Sequence, residues 1–245
     1  MLKSLLILFA YLITGLIYLL FIVPISLCFL PLKKHKNVFS KFLCGYMKWA
    51  VRDMLKFFNV LEVGEITGLE NIQKNAIIIA NHQSFLDGFI IMGHIPSVPL
   101  VKSSYKFNPL FAWISALFNF VEISYTPNGI TKADEKIREF LKNGESMLIL
   151  PEGTRSLDGK IKKFNSLAFK ISKEMNIVIL PIVLHYSKPI MSKSCESFIF
   201  RKKICVKIRI LEAIIPQENE NTAGLLNKSR EAVEKSYLQL CESPL

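Results

Sequence analysis

The sequence predicts an α/β chain led by an uncharged amino-terminal segment. Strand-like apolar runs alternate with stretches of helical spacing from about residue 63 onward, the signature of a layered α/β architecture. Two of those runs, Ala76-Ile77-Ile78-Ile79-Ala80 and Met147-Leu148-Ile149-Leu150, each end in a cluster of polar residues. Loops loaded in this way belong at one edge of a sheet. The third observation is the amino-terminal stretch 4–32, which holds no charged residue.

As one straight helix, residues 4–32 would rise about 43 Å, more than the ~30 Å hydrocarbon core requires. Pro24 and Pro31 then mark a kink or the end of the span. A cleaved signal peptide fits less well, because the apolar region is too long and no small-residue cleavage motif precedes the basic cluster. Lys33-Lys34-His35-Lys36 follows at once and places that end, with everything downstream, on the cytoplasmic face of the cell (inner) membrane. Lys3 on the other flank competes weakly, so spanning and re-entrant arrangements both stay open. Over 40–58, Lys41, Lys48, Arg52 and Lys56 fall within about 80° on a helical wheel, with Trp49, Tyr46 and other apolar residues covering much of the rest. That pattern suits a helix lying in the headgroup layer. The chain therefore divides into 1–62, the anchor and interfacial helix, and 63–245, the catalytic domain.

Beyond Val63, helices are expected over 87–94 and 130–143, the latter stopped by Gly144. Residues 98–101 read as a short strand ending at Lys102, and 118–123 as another apolar segment. Asp158-Gly159 reads as a turn. Phe164, Leu167, Ala168, Ile171 and Met175 space out one amphipathic helix, and Leu225, Leu226, Ser229, Val233 and Tyr237 a closing one. Residues 177–184 form a buried strand in which Pro181 points to an edge position or a bulge. Residues 204–211 alternate basic and apolar, as a half-exposed strand does.

Composition narrows the partners. Hydrophobic residues make up 51% of the 245, the formal net charge is +11, and mean hydropathy is +0.32. A basic, apolar chain fits an anionic membrane surface or a phosphorylated substrate better than nucleic acid. The five cysteines lack Cys-x-x-Cys spacing, so neither a disulfide framework nor a zinc site is indicated. His35, His94 and His185 lack metal-ligand spacing, and no metal is assigned.

The chemistry is expected at Asn81-His82-Gln83-Ser84-Phe85-Leu86-Asp87. Five positions on a continuous helix turn through about 140°, which would part His82 from Asp87. The two meet if His82 lies in the turn after the strand and Asp87 in the first helical turn. Asp87 then holds one ring nitrogen and leaves the other to take a substrate proton. The bland alternative is a satisfied polar pair or a cap. In the second cluster, Arg155 offers a planar fork of donors suited to phosphate, Gly153 lets the backbone approach closely, and Thr154 and Ser156 add hydroxyls. No Gly-x-Ser-x-Gly elbow is present, which disfavours a serine hydrolase.

Asn81-His82-x-Ser84-x-x-Asp87 followed by Pro151-Glu152-Gly153-Thr154-Arg155-Ser156 resembles the glycerophospholipid acyltransferases, in particular the bacterial 1-acylglycerol-3-phosphate acyltransferases, over roughly residues 65–215. The resemblance implies a mixed sheet flanked by helices, His82 and Asp87 as the catalytic pair, and Glu152, Gly153 and Arg155 as substrate-binding residues. It also implies transfer of an acyl chain from acyl-CoA or acyl-carrier protein to the sn-2 hydroxyl of lysophosphatidic acid, with no cofactor. Lys102 matches a basic position of the family and is read either as a support for the substrate phosphate or the developing oxyanion or as a solvated lysine; Thr154 completes the expected substrate-binding set. Glu152, odd beside a phosphate, is expected to orient Arg155 or bind a glycerol hydroxyl. The sequence departs from the family pattern twice: Phe120-Val121-Glu122-Ile123-Ser124-Tyr125 lacks the arginine of a Phe-[Ile/Val]-x-Arg block, and Ser166 stands for a glycine. An acyltransferase for another lysolipid, or a non-catalytic membrane lipid-binding protein, are the competing readings.

Overall fold

The computed structural model describes residues 61–107, 120–156, 159–187 and 204–242, with the isolated positions Phe9, Ile13, Gly45, Trp49, Ala112 and Ser115. The expected anchor over 4–32 and the interfacial helix over 40–58 fall, but for four of those positions, outside the described residues. Among the described residues, no helix is long and apolar enough to cross a membrane.

The described elements are β1 (Leu61–Thr67), β2 (Ile77–Ala80), α1 (Asp87–Met92), β3 (Val98–Lys102), β4 (Val121–Ile123), α2 (Pro127–Lys142), β5 (Met147–Ile149), α3 (Leu167–Met175), β6 (Ile179–Tyr186), β7 (Ile204–Ile210) and α4 (Thr222–Glu242). Two 3₁₀ turns, Leu69–Asn71 and Ser103–Phe107, join them. The strands form one sheet in the order β1-β7-β6-β2-β5-β3-β4. From β6 to β4 all neighbours are parallel; β7 runs antiparallel to β6, and β1 is parallel to β7. The sheet is therefore mixed, and β1 opens two residues ahead of the boundary expected at Val63.

β2 and β5 are buried at every residue, since helices cover both faces of the sheet. Alternation along the strands sorts two cores. Ile78, Ala80, Leu148, Leu180 and Ile182 face α1 through Ile90, Ile91 and Met92. Ile77, Ile79, Met147, Ile149 and Val183 face the other way, toward Ile137 and Phe140 of α2, Phe169 and Ile171 of α3, and Leu225 and Val233 of α4. At about 1.5–3 kcal/mol for each large apolar side chain fully buried, this two-sided core dominates the stabilising side of folding.

α2 begins three residues ahead of the expected start. The Thr126 hydroxyl accepts the Gly129 N–H at 3.1 Å, and Pro127 occupies the first turn, where its missing N–H costs nothing. Past its end Gly144 takes φ +77°, the left-handed conformation that suits a helix stop. Pro181 corrects an expectation: β6 lies between β2 and β7, not at an edge. The bulge alternative holds instead. Ile179 bridges Ile214 while Ile182 pairs with Ile210, so three steps on β6 face four on the returning chain. The Pro181 carbonyl still accepts the Leu211 N–H at 2.9 Å, and no donor is required of Pro181 at the irregular pairing.

This topology places the site. The chain leaving β2 runs by α1 to β3; the chain leaving β5 runs the opposite way by α3 to β6. α1 and α3 pack on opposite faces, so the carboxyl ends of the adjacent strands β2 and β5 frame a crevice.

Candidate active site

At the end of β2 the main chain is turned out of the sheet by Asn81. Its side-chain amide donates to the Leu184 carbonyl at 2.9 Å and accepts the Leu184 N–H at 2.8 Å, finishing the ladder with β6 in place of backbone. The turn that follows is gathered by Asp87, the first residue of α1 and fully buried. Oδ2 of Asp87 accepts the N–H of Gln83 at 2.7 Å and of Ser84 at 2.8 Å, and lies 2.9 Å from Nδ1 of His82. Oδ1 accepts the Tyr186 hydroxyl at 2.5 Å. An ionised carboxylate only accepts, so Nδ1 carries the proton and Nε2 is the basic nitrogen. The turn-then-helix geometry required of a five-residue spacing is thus met.

The second loop folds back on the first. The Ser156 N–H donates to the His82 carbonyl at 2.7 Å. The Glu152 carboxylate accepts the His82 N–H at 2.8 Å and the Lys162 N–H at 3.0 Å. Burial pushes the Glu152 carboxyl up from its ordinary value, with the two backbone donors pulling the other way. Gly153 adopts φ +62°, and a Cβ there would sit 2.7 Å from the Tyr125 hydroxyl and 3.1 Å from the Asn165 amide nitrogen. The Lys162 ammonium ties the loop from behind, donating to the Arg155 carbonyl at 2.8 Å.

Both loops open on a cleft of about 310 Å³. One part of its wall carries His82, Lys102, Tyr125, Thr154 and Arg155; another carries Phe85, Phe89, Met92, Phe120 and Leu148. His82, Lys102, Gly153, Thr154 and Arg155 therefore come together, as the sequence predicts of one site. Glu152 does not line the cleft. One of its oxygens accepts the His82 N–H and the other the Lys162 N–H, so the carboxylate braces the main chain of both.

The model of the acyltransferase family matches residues 64–185. The chain belongs to the acyltransferase family. It is 27% identical over 218 residues to the chloroplastic 1-acyl-sn-glycerol-3-phosphate acyltransferase of Arabidopsis thaliana, an alignment covering 87% of this chain and 57% of that one. Against the 1-acyl-sn-glycerol-3-phosphate acyltransferase of Saccharomyces cerevisiae the identity is 30% over 195 residues, covering 77% and 61%. The chain thus spans less than two thirds of the length of these relatives. The crystal structure of the 1-acyl-sn-glycerophosphate acyltransferase of Thermotoga maritima superposes with a TM-score of 0.75 at 23% identity, covering 100% of this chain and 98% of that one, which establishes the shared fold.

Sequence reasoning missed Tyr186 and Tyr237. Tyr186 is the last residue of β6, and the Tyr237 hydroxyl of α4 accepts the Gln83 side-chain amide at 2.6 Å. The signal available for Tyr186 was a tyrosine closing an apolar strand, whose buried hydroxyl needs a partner. Ile123 holds the position of the absent arginine in the Phe-[Ile/Val]-x-Arg block and lines the cleft, as does Tyr125, whose ring centre lies 5.7 Å from the Lys102 ammonium. His94 Nδ1 lies 2.8 Å from the Ile90 carbonyl, and His185 meets Tyr237 edge-on at 5.7 Å, so neither ring shares the cleft with His82.

Proposed function

We propose that this protein transfers an acyl chain from a thioester, acyl-CoA or acyl-carrier protein, to the sn-2 hydroxyl of 1-acylglycerol-3-phosphate, giving phosphatidic acid at the cytoplasmic face of the membrane. One observation carries the reading: an imidazole held by a buried carboxylate opens onto the same cleft as Arg155, Lys102 and an apolar wall. The family and the names of the relatives support the substrate class.

Nε2 of His82 takes the proton of the acceptor hydroxyl as its oxygen attacks the thioester carbonyl. Asp87 stabilises the imidazolium so formed. The tetrahedral intermediate then expels the thiol sulfur, which leaves with the proton held by His82; the carbon–sulfur bond breaks, the carbon–oxygen ester bond remains, and the enzyme returns to its first state. No covalent acyl-enzyme is needed. The guanidinium of Arg155 meets the acceptor phosphate, with Lys102 supplying a second positive charge and Thr154 a hydroxyl. Phe85, Phe89 and Met92 suit the alkyl part of a substrate.

A second acceptor stays in view because Ile123 stands where the family pattern places an arginine, leaving the phosphate corner one cation short. The deciding experiment is an assay of the purified full chain in detergent against a panel of lysolipids, with CoA and carrier-protein donors. Lysophosphatidic acid is expected to be preferred, and His82→Ala to abolish thioester consumption while leaving membrane association intact. Preference for a neutral or zwitterionic acceptor overturns the substrate. Turnover persisting in His82→Ala overturns the base, and absence of turnover with any donor leaves a lipid-binding protein.

A further inference from the structure

We propose that Tyr186 is a positioning residue for the His82–Asp87 pair: its buried hydroxyl fixes the carboxylate plane of Asp87 and takes up part of its charge. The inference rests on the reading of His82 as the base.

All three N–H donors to Asp87 converge on Oδ2. Donors on one oxygen leave the carboxylate free to pivot about its Cβ–Cγ bond, and a pivot of that kind would swing the lone pair that aims Nδ1. The Tyr186 hydroxyl on Oδ1 closes that freedom. Its own aim is rigid. Tyr186 pairs with Val206 across the sheet, its ring sits in the core with α1, and 7% of its surface is exposed. The contact joins residues 99 apart in the chain, so it exists only in the folded domain. Burial and the neighbouring Asp87 keep the phenol protonated, with the Ser84 hydroxyl opposing, which makes it a permanent donor.

A hydrogen bond from a neutral donor spreads the carboxylate charge and weakens the hold of Asp87 on the imidazolium. Without it, the protonated ring persists to higher pH and the base is lost sooner as pH falls. The other groups facing the pair stay in place: Ser84 and Gln83 of the turn, Glu152 on the His82 N–H, Lys102 and Arg155 on the cleft wall, and Tyr237 of α4 through Gln83.

The test uses the full chain in detergent and compares Tyr186→Phe with wild type between about pH 5.5 and 9, the range in which an imidazole titrates. Losing one neutral hydrogen bond is expected to lower kcat roughly two- to tenfold, with KM for both substrates within about twofold, and to move the acid limb of the rate profile up by about half to one pH unit. Difluorotyrosine installed at 186, a stronger donor of nearly the same shape, is expected to move the limb down. It also carries the test if the phenylalanine variant does not fold. A third readout needs no turnover: the downfield Nδ1 proton resonance of His82, assigned by its loss in His82→Ala, is expected to shift in Tyr186→Phe. A resonance and an acid limb at their wild-type positions in folded variants overturn the role. If the wild type transfers no acyl chain, the proposed function falls, and the resonance alone decides the coupling.

Discussion

Replacing Asp87 separates charge from scaffold, because its two oxygens have distinct duties. In Asp87→Asn the amide oxygen can occupy the Oδ2 position and keep the N–H groups of His82, Gln83 and Ser84, while the amide nitrogen donates to the Tyr186 oxygen. The opposite orientation would set an NH₂ against three N–H donors, so one rotamer is imposed. Stability is expected to change by about 1 kcal/mol or less, since the three N–H donors keep their acceptor and the Tyr186 O–H retains the Ser84 hydroxyl as a partner. The charge is lost. With charge centres about 4 Å apart and an effective dielectric near 20, it is worth about 4 kcal/mol to the imidazolium, or roughly a thousandfold in rate. Asp87→Ala does more: it strands two backbone N–H groups and a phenol, at about 1–3 kcal/mol for each group left unpaired. Its melting temperature is expected to fall by about 10 °C, at about 2–4 °C per kcal/mol for a chain of this size. Acyl-transfer rates and fluorescence-detected melting of the two variants check both halves. An Asp87→Asn enzyme within about tenfold of wild type would refute the electrostatic role, and one as unstable as Asp87→Ala would refute the hydrogen-bond accounting.

Gly153→Ala forces a side chain into a left-handed conformation, a cost of about 1–2 kcal/mol, with the Asn165 amide fixed 3.1 Å away and the half-exposed Tyr125 phenol able to swing aside. Its melting temperature is expected to fall by about 3–8 °C, and adding Tyr125→Phe to restore little of that, because the backbone term dominates. Burial, aided by the nearby Lys207, holds His185 below the ordinary histidine value. As pH falls the unfolded chain takes up that proton first, so the stability tied to neutral His185 is complete above about pH 6.5 and is lost as pH drops through the folded value. Melting temperatures at about pH 5.5 and 7.5 are expected to differ by more in wild type than in His185→Gln; equal differences would refute this.

Local pattern carried as much of the fold as local pattern can. β2 and β5 were legible because burial on both faces leaves unbroken apolar runs, and α2, α3 and α4 because one face of each repeats at helical spacing. The start of α2 was hidden: apolar spacing pointed to Ile130, which is 40% exposed, while the Thr126 cap and Pro127 set the true beginning. β1 was unread as a strand because Glu62, Gly64 and Glu65 interrupt its apolar residues, and its partner β7 lies far along the chain. Pro181 misled as an edge marker since a bulge serves it equally well. In the site, type and spacing offer His82 and Asp87 as a pair, and the family resemblance adds Arg155. Tyr186 and Tyr237 reach it across 99 and 154 residues, a proximity no local pattern encodes.

Glu152 shows what residue type alone leaves out. An acidic group three positions before Arg155 is at odds with a phosphate seated there, so the sequence suggests that it orients the arginine or binds a glycerol hydroxyl. The fold removes the conflict by turning the carboxylate inward, where one oxygen holds the main chain of His82 and the other that of Lys162. With the Ser156 N–H on the His82 carbonyl, the peptide on each side of His82 is gripped by the second loop. The loops that carry His82 and Arg155 are therefore one braced unit, although 70 residues separate His82 from Glu152. Under the proposed function, a phosphate on Arg155 would be held by a loop whose place beside His82 these main-chain hydrogen bonds set. Under that reading the second motif would support the base as well as the acceptor.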